Sequence, residues 1–228
     1  NAQGDWKTLT DIKNSASDVS CVSGQMPRIV GLGYASKLFR NNNDLSDMHN
    51  FSINGNEVIF GTIGDASTSE GHFWESINAC GVLQIPVVMS IWDDGYGISV
   101  PSEYHTTRND LSKVLSGFQR SSKKENGFEI FTVKAWDYEG LLNAYSSAVN
   151  FARKDHVPSI IHVKDVTQPQ GHTTSGSHER YKSKERLQWE KDFCCIKRMR
   201  SWIIKNNIAD NKELDKIEKR EYLKELRE

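Results

Sequence analysis

The chain has 228 residues, 37% of them hydrophobic, and its 29 Lys and Arg against 30 Asp and Glu give a formal net charge of -1. That length builds one substantial core, and a balanced charge argues against nucleic acid or an anionic membrane as partner. No apolar run approaches the roughly 20 residues that span a bilayer, the first residues are too polar for a signal peptide, and Cys21, Cys80, Cys194 and Cys195 lack any Cys-x-x-Cys spacing, so they read as reduced, structural and cytoplasmic.

Residues 6–14 are ambiguous, and 20–27 form a turn-rich approach to a helix expected over 28–40. There Ile29, Leu32, Ser36 and Phe39 recur at helical spacing, while Gly31, Gly33 and Ala35 permit close packing. Residues 41–56 are polar and Asn-rich, a surface insertion. The run 58–63 is short, apolar and β-branched and stops at Gly64-Asp65, so it reads as a buried strand ending in a turn. Ser67 and Glu70 are spaced as a capping box for a helix with Phe73, Ile77 and Cys80 on one face. A second buried strand, 85–92, runs into Asp93-Asp94-Gly95-Tyr96 and completes a βαβ unit.

Residues 100–122 are mixed, with a short helix at 111–117, and 123–127 are a solvated turn. A strand at 128–133, Asp137 as N-cap of a helix at 141–153, and a strand at 160–163 follow. Alternating strands and helices predict an α/β fold, a doubly wound, mostly parallel sheet flanked by helices. Residues 167–181 contain almost no apolar side chain, and a loop of that length at the end of a strand reads as functional. Beyond Ser183 the chain turns helical, with Trp189, Phe193, Ile196, Met199 and Ile203 on the packed face, and Asp210 to Glu213 cap a last helix rich in Lys and Glu.

Parallel strands joined by a crossover bring both carboxyl ends to one sheet edge, so Asp65 and Asp94 are expected close together. Ligands of open parallel sheets bind at that edge, and a helix opening at 67–70 would aim free N–H groups at it. Magnesium takes one or two carboxylates plus phosphate oxygens and water, so a magnesium diphosphate satisfies both features. Taken singly, Gly-Asp and Asp-Asp-Gly are ordinary turn compositions; their spacing on a strand-helix-strand frame is what favours a site.

Gly64-Asp65-Ala66, a gap of 26 residues, and Asp93-Asp94 resemble the thiamine diphosphate signature, Gly-Asp-Gly followed at that distance by Asn-Asn. The neighbours Ser67-Thr68-Ser69-Glu70-Gly71-His72 and Gly95-Tyr96-Gly97-Ile98-Ser99 are similar to the decarboxylating component of 2-oxoacid dehydrogenase complexes, its alpha-type half, and most of all to the bacterial form with fused halves. Ala66 replaces the last Gly, and Asp93-Asp94 replaces Asn-Asn, which adds negative charge.

The resemblance implies the thiamine diphosphate-binding fold, with Asp65 and Asp94 ligating magnesium through their side chains and Tyr96 through its carbonyl. It implies a cofactor site at Gly64, Asp65, Ala66, Ser67, Asp94, Tyr96 and Ile98, with Ser20 and Val22 reaching the aminopyrimidine through backbone carbonyls. Gly171-His172 is similar to the family's Gly-His-Ser loop, which makes His172 the catalytic-loop histidine that donates to the cofactor phosphate. Thr173 falls where mitochondrial relatives carry a regulatory phosphoserine, but the flanking acidic residues are replaced and no phosphorylation is inferred. His178, Glu179 and Arg180 are a solvated cluster or help to position the loop or the substrate, and His72 points into the site or caps its helix.

The implied activity is oxidative decarboxylation of a 2-oxo acid, branched-chain or pyruvate with a lean to the former, and acyl transfer to a lipoyl-bearing acyltransferase. The resemblance spans about 19–207, with 1–207 as the diphosphate-binding domain and 208–228 as a charged helix leading onward. The proton-relay carboxylate of the family has no candidate here. A pyrimidine-binding, beta-type half is therefore expected in the same longer chain or in a partner subunit, in a homo-oligomeric assembly, and the isolated chain should turn over slowly or not at all. A transketolase-like or acetoin-cleaving thiamine enzyme is the alternative within the chemistry; a nucleotide-binding or assembly module is the alternative outside it, weakened by the lack of a Gly-x-x-x-x-Gly-Lys loop.

Overall fold

The structure, a computed structural model, describes residues 21–168, 171–172 and 178–225. Helix α1 (Gln25–Asn41) begins three residues before the expected start. Its buried stripe is Met26, Ile29, Gly33 and Ser36, whereas Leu32, expected in it, is 46% exposed. Gly33 explains the rotation: a Cβ there would come within 2.9 Å of Val87 Cγ2, so the helix lies backbone-first on the sheet at that position.

Strand β1 (Ile59–Gly64), helix α2 (Gly71–Leu83) and strand β2 (Val87–Trp92) form the expected βαβ unit, with the strands parallel from Ile59↔Val87 to Gly64↔Trp92. The capping box is not made. A 3-10 turn, Ala66–Ser69, follows β1, and α2 opens only at Gly71 with Glu70 at its N-cap and no side-chain cap bond. Thr68 is the cause: its N–H and hydroxyl both donate to the Asp65 carbonyl, at 3.1 and 2.6 Å, and close the chain into the tighter turn.

A short antiparallel ribbon, β3 (Tyr96–Gly97) and β4 (Val100–Pro101), leads to α3 (Leu111–Leu115). Then come β5 (Glu129–Lys134), α4 (Tyr138–Asp155) and β6 (Ser159–Lys164). Asp137 is the N-cap of α4, its carboxylate accepting the Gly140 N–H at 3.0 Å. The four long strands run in the order β1-β2-β6-β5, all parallel. Alternation along each strand gives the sheet two apolar faces. On one, Ile63, Val87, Met89, Ile91 and Ile160 pack with Met26, Ile29, Phe73, Ile77 and Cys80 of α1 and α2; on the other, Val88, Val133, Ile161 and Val163 meet Ala144, Ala148 and Ala152 of α4. Each fully buried large side chain of this kind contributes about 1.5–3 kcal/mol.

The single helix expected beyond Ser183 is two, α5 (Lys184–Asp192) and α6 (Cys195–Lys205). They break where Phe193 stacks on Trp189, with ring centroids 5.4 Å apart, and packs against Trp136 at 5.2 Å. Past the break the helix face turns away, and Ile196, expected in the core, is 79% exposed. The last helix, α7 (Asn211–Glu225), opens with a reciprocal capping box: Glu213 N–H donates to Asp210 Oδ1 at 2.8 Å, and Asp210 N–H to Glu213 Oε2 at 3.0 Å. Among the described residues no helix is long and apolar enough to cross a membrane.

Candidate functional site

Asp65 follows the last residue of β1 and stays tied to the sheet through its N–H, which donates to the Trp92 carbonyl at 3.1 Å. Its side chain is turned inward and the residue is only 3% exposed. Oδ2 is buried without a hydrogen-bond partner among the described residues. Burial, then the charges of Asp93 and Asp94, push the carboxyl up to about 8, against the opposing N–H groups of Ala66 and Asp65 itself.

Asp93 and Asp94 end β2 on the same edge. The Asp93 N–H donates to Val163 O at 2.9 Å, and its carbonyl accepts from Val166 N–H at 3.0 Å, so β6 fixes the turn. Gly95, at φ 79°, lets the chain reverse and donates its N–H to Asp93 Oδ1 at 3.0 Å. Asp93 Oδ2 lies 2.8 Å from Nε2 of His162, a fully buried residue of β6. Burial works to raise the Asp93 carboxyl, but the hydrogen bond and charge of His162, with the Gly95 N–H and Lys164, hold it below the usual range. Asp94 is raised, by burial first and by Asp93, against the Tyr96 N–H, Lys182 and Arg186.

A second layer braces the turn. Arg186 of α5 donates through Nη2 to the Asp94 carbonyl at 2.6 Å and through Nε to Glu190 Oε1 at 3.0 Å. Lys182 donates to the same Glu190 oxygen at 2.7 Å, and both of these side chains are 1% exposed. The Tyr96 ring lies 5.8 Å from Tyr181, with Lys182 Nζ 5.2 Å and the Arg186 guanidinium 5.4 Å from its centre.

The ribbon closes the third side. A Cβ on Gly97 would stand 2.8 Å from the Ala66 Cβ, so the glycine makes the room that Ala66 fills. Beyond it, His105 Nε2 is 3.9 Å from Asp65 Oδ2, its side chain 13% exposed, and that nitrogen too is buried and unpaired among the described residues. Burial lowers the His105 pKa despite Asp93 and Asp94. Both shifts, Asp65 upward and His105 downward, work against an ion pair between the two.

The fold thus brings together Asp65, Asp94, Ala66, Ser67 and Tyr96 around one sheet edge. Gly64 is exposed beside them, with open space to 3.9 Å where a Cβ would be. Ile98 is exposed at φ 60° past β3, and Val22 is exposed before α1. His172 is exposed after Gly171, itself at φ 75°; Ser20 and Thr173 lie outside the described residues. Among the described residues no three His, Cys, Asp or Glu side chains converge closely enough to hold a metal alone. A hard cation here needs further oxygens from carbonyls, water or a ligand, and the buried, unpartnered Asp65 oxygen fits one.

Sequence reasoning missed His105, His162, Lys182, Arg186 and Glu190. His162 sits inside an apolar run, a position where a histidine demands buried partners. The other four carry no local signal.

A family model described as dehydrogenase E1 component matches residues 8–228. The chain is 27% identical over 197 residues to the pyruvate dehydrogenase E1 component subunit alpha of Rickettsia bellii, covering 86% of this chain and 53% of that protein. It is 24% identical over 196 residues to the human mitochondrial 2-oxoisovalerate dehydrogenase subunit alpha, covering 85% of this chain and 39% of that one. It also superposes on a transketolase from Leishmania mexicana with a TM-score of 0.46 and 19% identity, over 64% of this chain and 20% of that one. The chain thus spans about half or less of the length of these relatives. Over nearly its whole length, this chain belongs to the dehydrogenase E1 component family.

Proposed function

We propose that the chain is the diphosphate-binding half of a thiamine diphosphate- and magnesium-dependent 2-oxo acid dehydrogenase. The observation that carries this is Asp65: a carboxylate just past the end of a parallel strand, buried, unpaired at Oδ2 among the described residues, and beside Asp94, which follows the neighbouring strand. Such a group is charged at neutral pH only when a cation joins it. Asp65 and Asp94 hold magnesium through their carboxylates and Tyr96 through its carbonyl. The backbone of Gly64, Ala66 and Ser67 lines the diphosphate, Ile98 flanks the cofactor, and Ser20 and Val22 offer carbonyls to its pyrimidine. His172 donates to the phosphate from the loop after β6.

When bound, thiamine diphosphate supplies the carbanion and the electron sink that decarboxylation of a 2-oxo acid requires. This chain contributes the grip on the charged end, and Arg186 and His162 keep the Asp93-Asp94 turn rigid while it is loaded. The pyrimidine-binding, beta-type half, from the same longer chain or a partner subunit, completes the site, and a lipoyl-bearing acyltransferase receives the acyl group. The relatives' names include both pyruvate and 2-oxoisovalerate, and either class of substrate suits this half.

Calorimetric titration with thiamine diphosphate, with and without magnesium, tests the reading. Binding that requires magnesium and is lost in Asp65→Ala is the expected result. Magnesium-independent binding, or binding indifferent to Asp65, contradicts it.

A further inference from the structure

The segment between β4 and α3 brings a second unpaired group to the Asp65 carboxylate. His105 Nε2 and Asp65 Oδ2 are both buried and both without partners among the described residues, yet they stand 3.9 Å apart. That is beyond hydrogen-bonding distance, so neither satisfies the other. Leaving two such atoms buried and unmade is costly, and a ligand oxygen, ion or water beside them both would relieve that cost.

We propose that His105 is a further binding residue of the site, its Nε2–H donating to an oxygen of the phosphate group that the Asp65-bound cation holds. The proposal rests on the reading above and adds a residue to it. Neighbouring ligand oxygens on magnesium lie about 3 Å apart, and a hydrogen bond to such an oxygen spans about 2.8 Å. One oxygen therefore touches both groups without either moving.

The ring is held for that role from three directions. Nδ1 is 2.9 Å from the Thr106 hydroxyl, which can donate to it and leave the proton on Nε2. The His105 carbonyl accepts from Ser69 Oγ at 2.9 Å, fastening the residue to the turn that follows Asp65. On its other side the ring edge approaches Gly97, whose Cβ would lie 3.7 Å from Cδ2. His105 belongs to neither apolar cluster, so its replacement leaves the core intact.

The test uses the full-length protein in its natural assembly, freed of cofactor, titrated with thiamine diphosphate at saturating magnesium and followed by calorimetry. His105→Leu is expected to weaken binding about tenfold or more, and His105→Gln, which restores an N–H donor, to recover part of that loss. Thermal melting of the cofactor-free protein should be the same for all three. Wild-type affinity in His105→Leu, together with a loss in Asp65→Asn, overturns the role of His105 alone. Equal losses in the Leu and Gln variants also overturn it, since any change at that position then acts alike. Absence of magnesium-dependent binding in the unmodified protein overturns both this inference and the reading it rests on.

Discussion

Asp93, the residue after β2, and His162 on β6 are joined at 2.8 Å, 69 residues apart in the chain. An ionised carboxylate only accepts, so His162 Nε2 donates to it, and Nδ1 on the other side of the ring lies 2.6 Å from the Ser112 hydroxyl. The imidazole is fully buried and both its nitrogens are used. His162→Leu strips Asp93 of its main support and is expected to cost about 2–3 kcal/mol, the worth of a hydrogen bond to a charged group. Urea denaturation of the two single variants, His162→Leu and Asp93→Asn, and of the double should give a coupling of about 1–3 kcal/mol. Additive losses would show that the pair is not coupled.

Asp65 makes stability pH-dependent in an unusual direction. Its carboxyl titrates from 3.8 in the unfolded chain to about 8 in the folded one, so between those values the folded state binds more protons. Stability in the absence of divalent cations therefore falls as pH rises from about 4 to about 8. Asp93, shifted downward, contributes a stability that is fully present across that window and is lost only as pH falls below it. Melting temperatures in EDTA between pH 5 and 8.5 should decline for the unmodified protein and decline less for Asp65→Asn. A magnesium ion ligated by Asp65, as proposed, would compete with the same proton, so its affinity should climb with pH up to about 8.

Glu190 carries two cations on one buried oxygen, Lys182 at 2.7 Å and Arg186 at 3.0 Å. Removing the carboxylate strands a lysine whose side chain is 1% exposed, so Glu190→Ala is expected to cost about 3–5 kcal/mol. Lys182→Met combined with Glu190→Met should regain most of it, since Arg186 is partly exposed and can turn to water. Chemical denaturation distinguishes the two outcomes.

Ala66 and Gly97 fill one space between them. Gly97→Ala would drive two methyl groups to 2.8 Å and push on the residue next to Asp65. A loss of about 1–3 kcal/mol is expected for such overpacking, with weaker thiamine diphosphate binding, and Ala66→Gly in the same chain should reverse both. Failure of the second substitution to rescue the first would mean that the contact is not what limits the site.

The strands and helices of the central unit were legible because burial on one face leaves a period in the sequence, as Phe73, Ile77 and Cys80 illustrate. Caps were legible where donor and acceptor are three residues apart, as at Asp137 and at Asp210 with Glu213. At Ser67 the same spacing misled, because Thr68 bonds back to Asp65 and its grip outcompetes the cap. Periodicity also ran unbroken through Phe193, where aromatic packing against Trp136 bends the chain and leaves Ile196 outside. The aspartates of the site announced themselves by spacing. Their supports did not, since His162, Lys182, Arg186 and Glu190 act through partners many residues away or through a single helix turn that reads as ordinary surface charge.

The loop after β6 leaves and returns at one point. Val166 N–H donates to the Asp93 carbonyl, and Arg186 donates to the Asp94 carbonyl, so both ends of that excursion are sewn to adjacent residues. A drawstring has this arrangement. A shift of the Asp93-Asp94 peptide is therefore felt at Val166 and at Arg186 together, on both sides of the segment that carries His172.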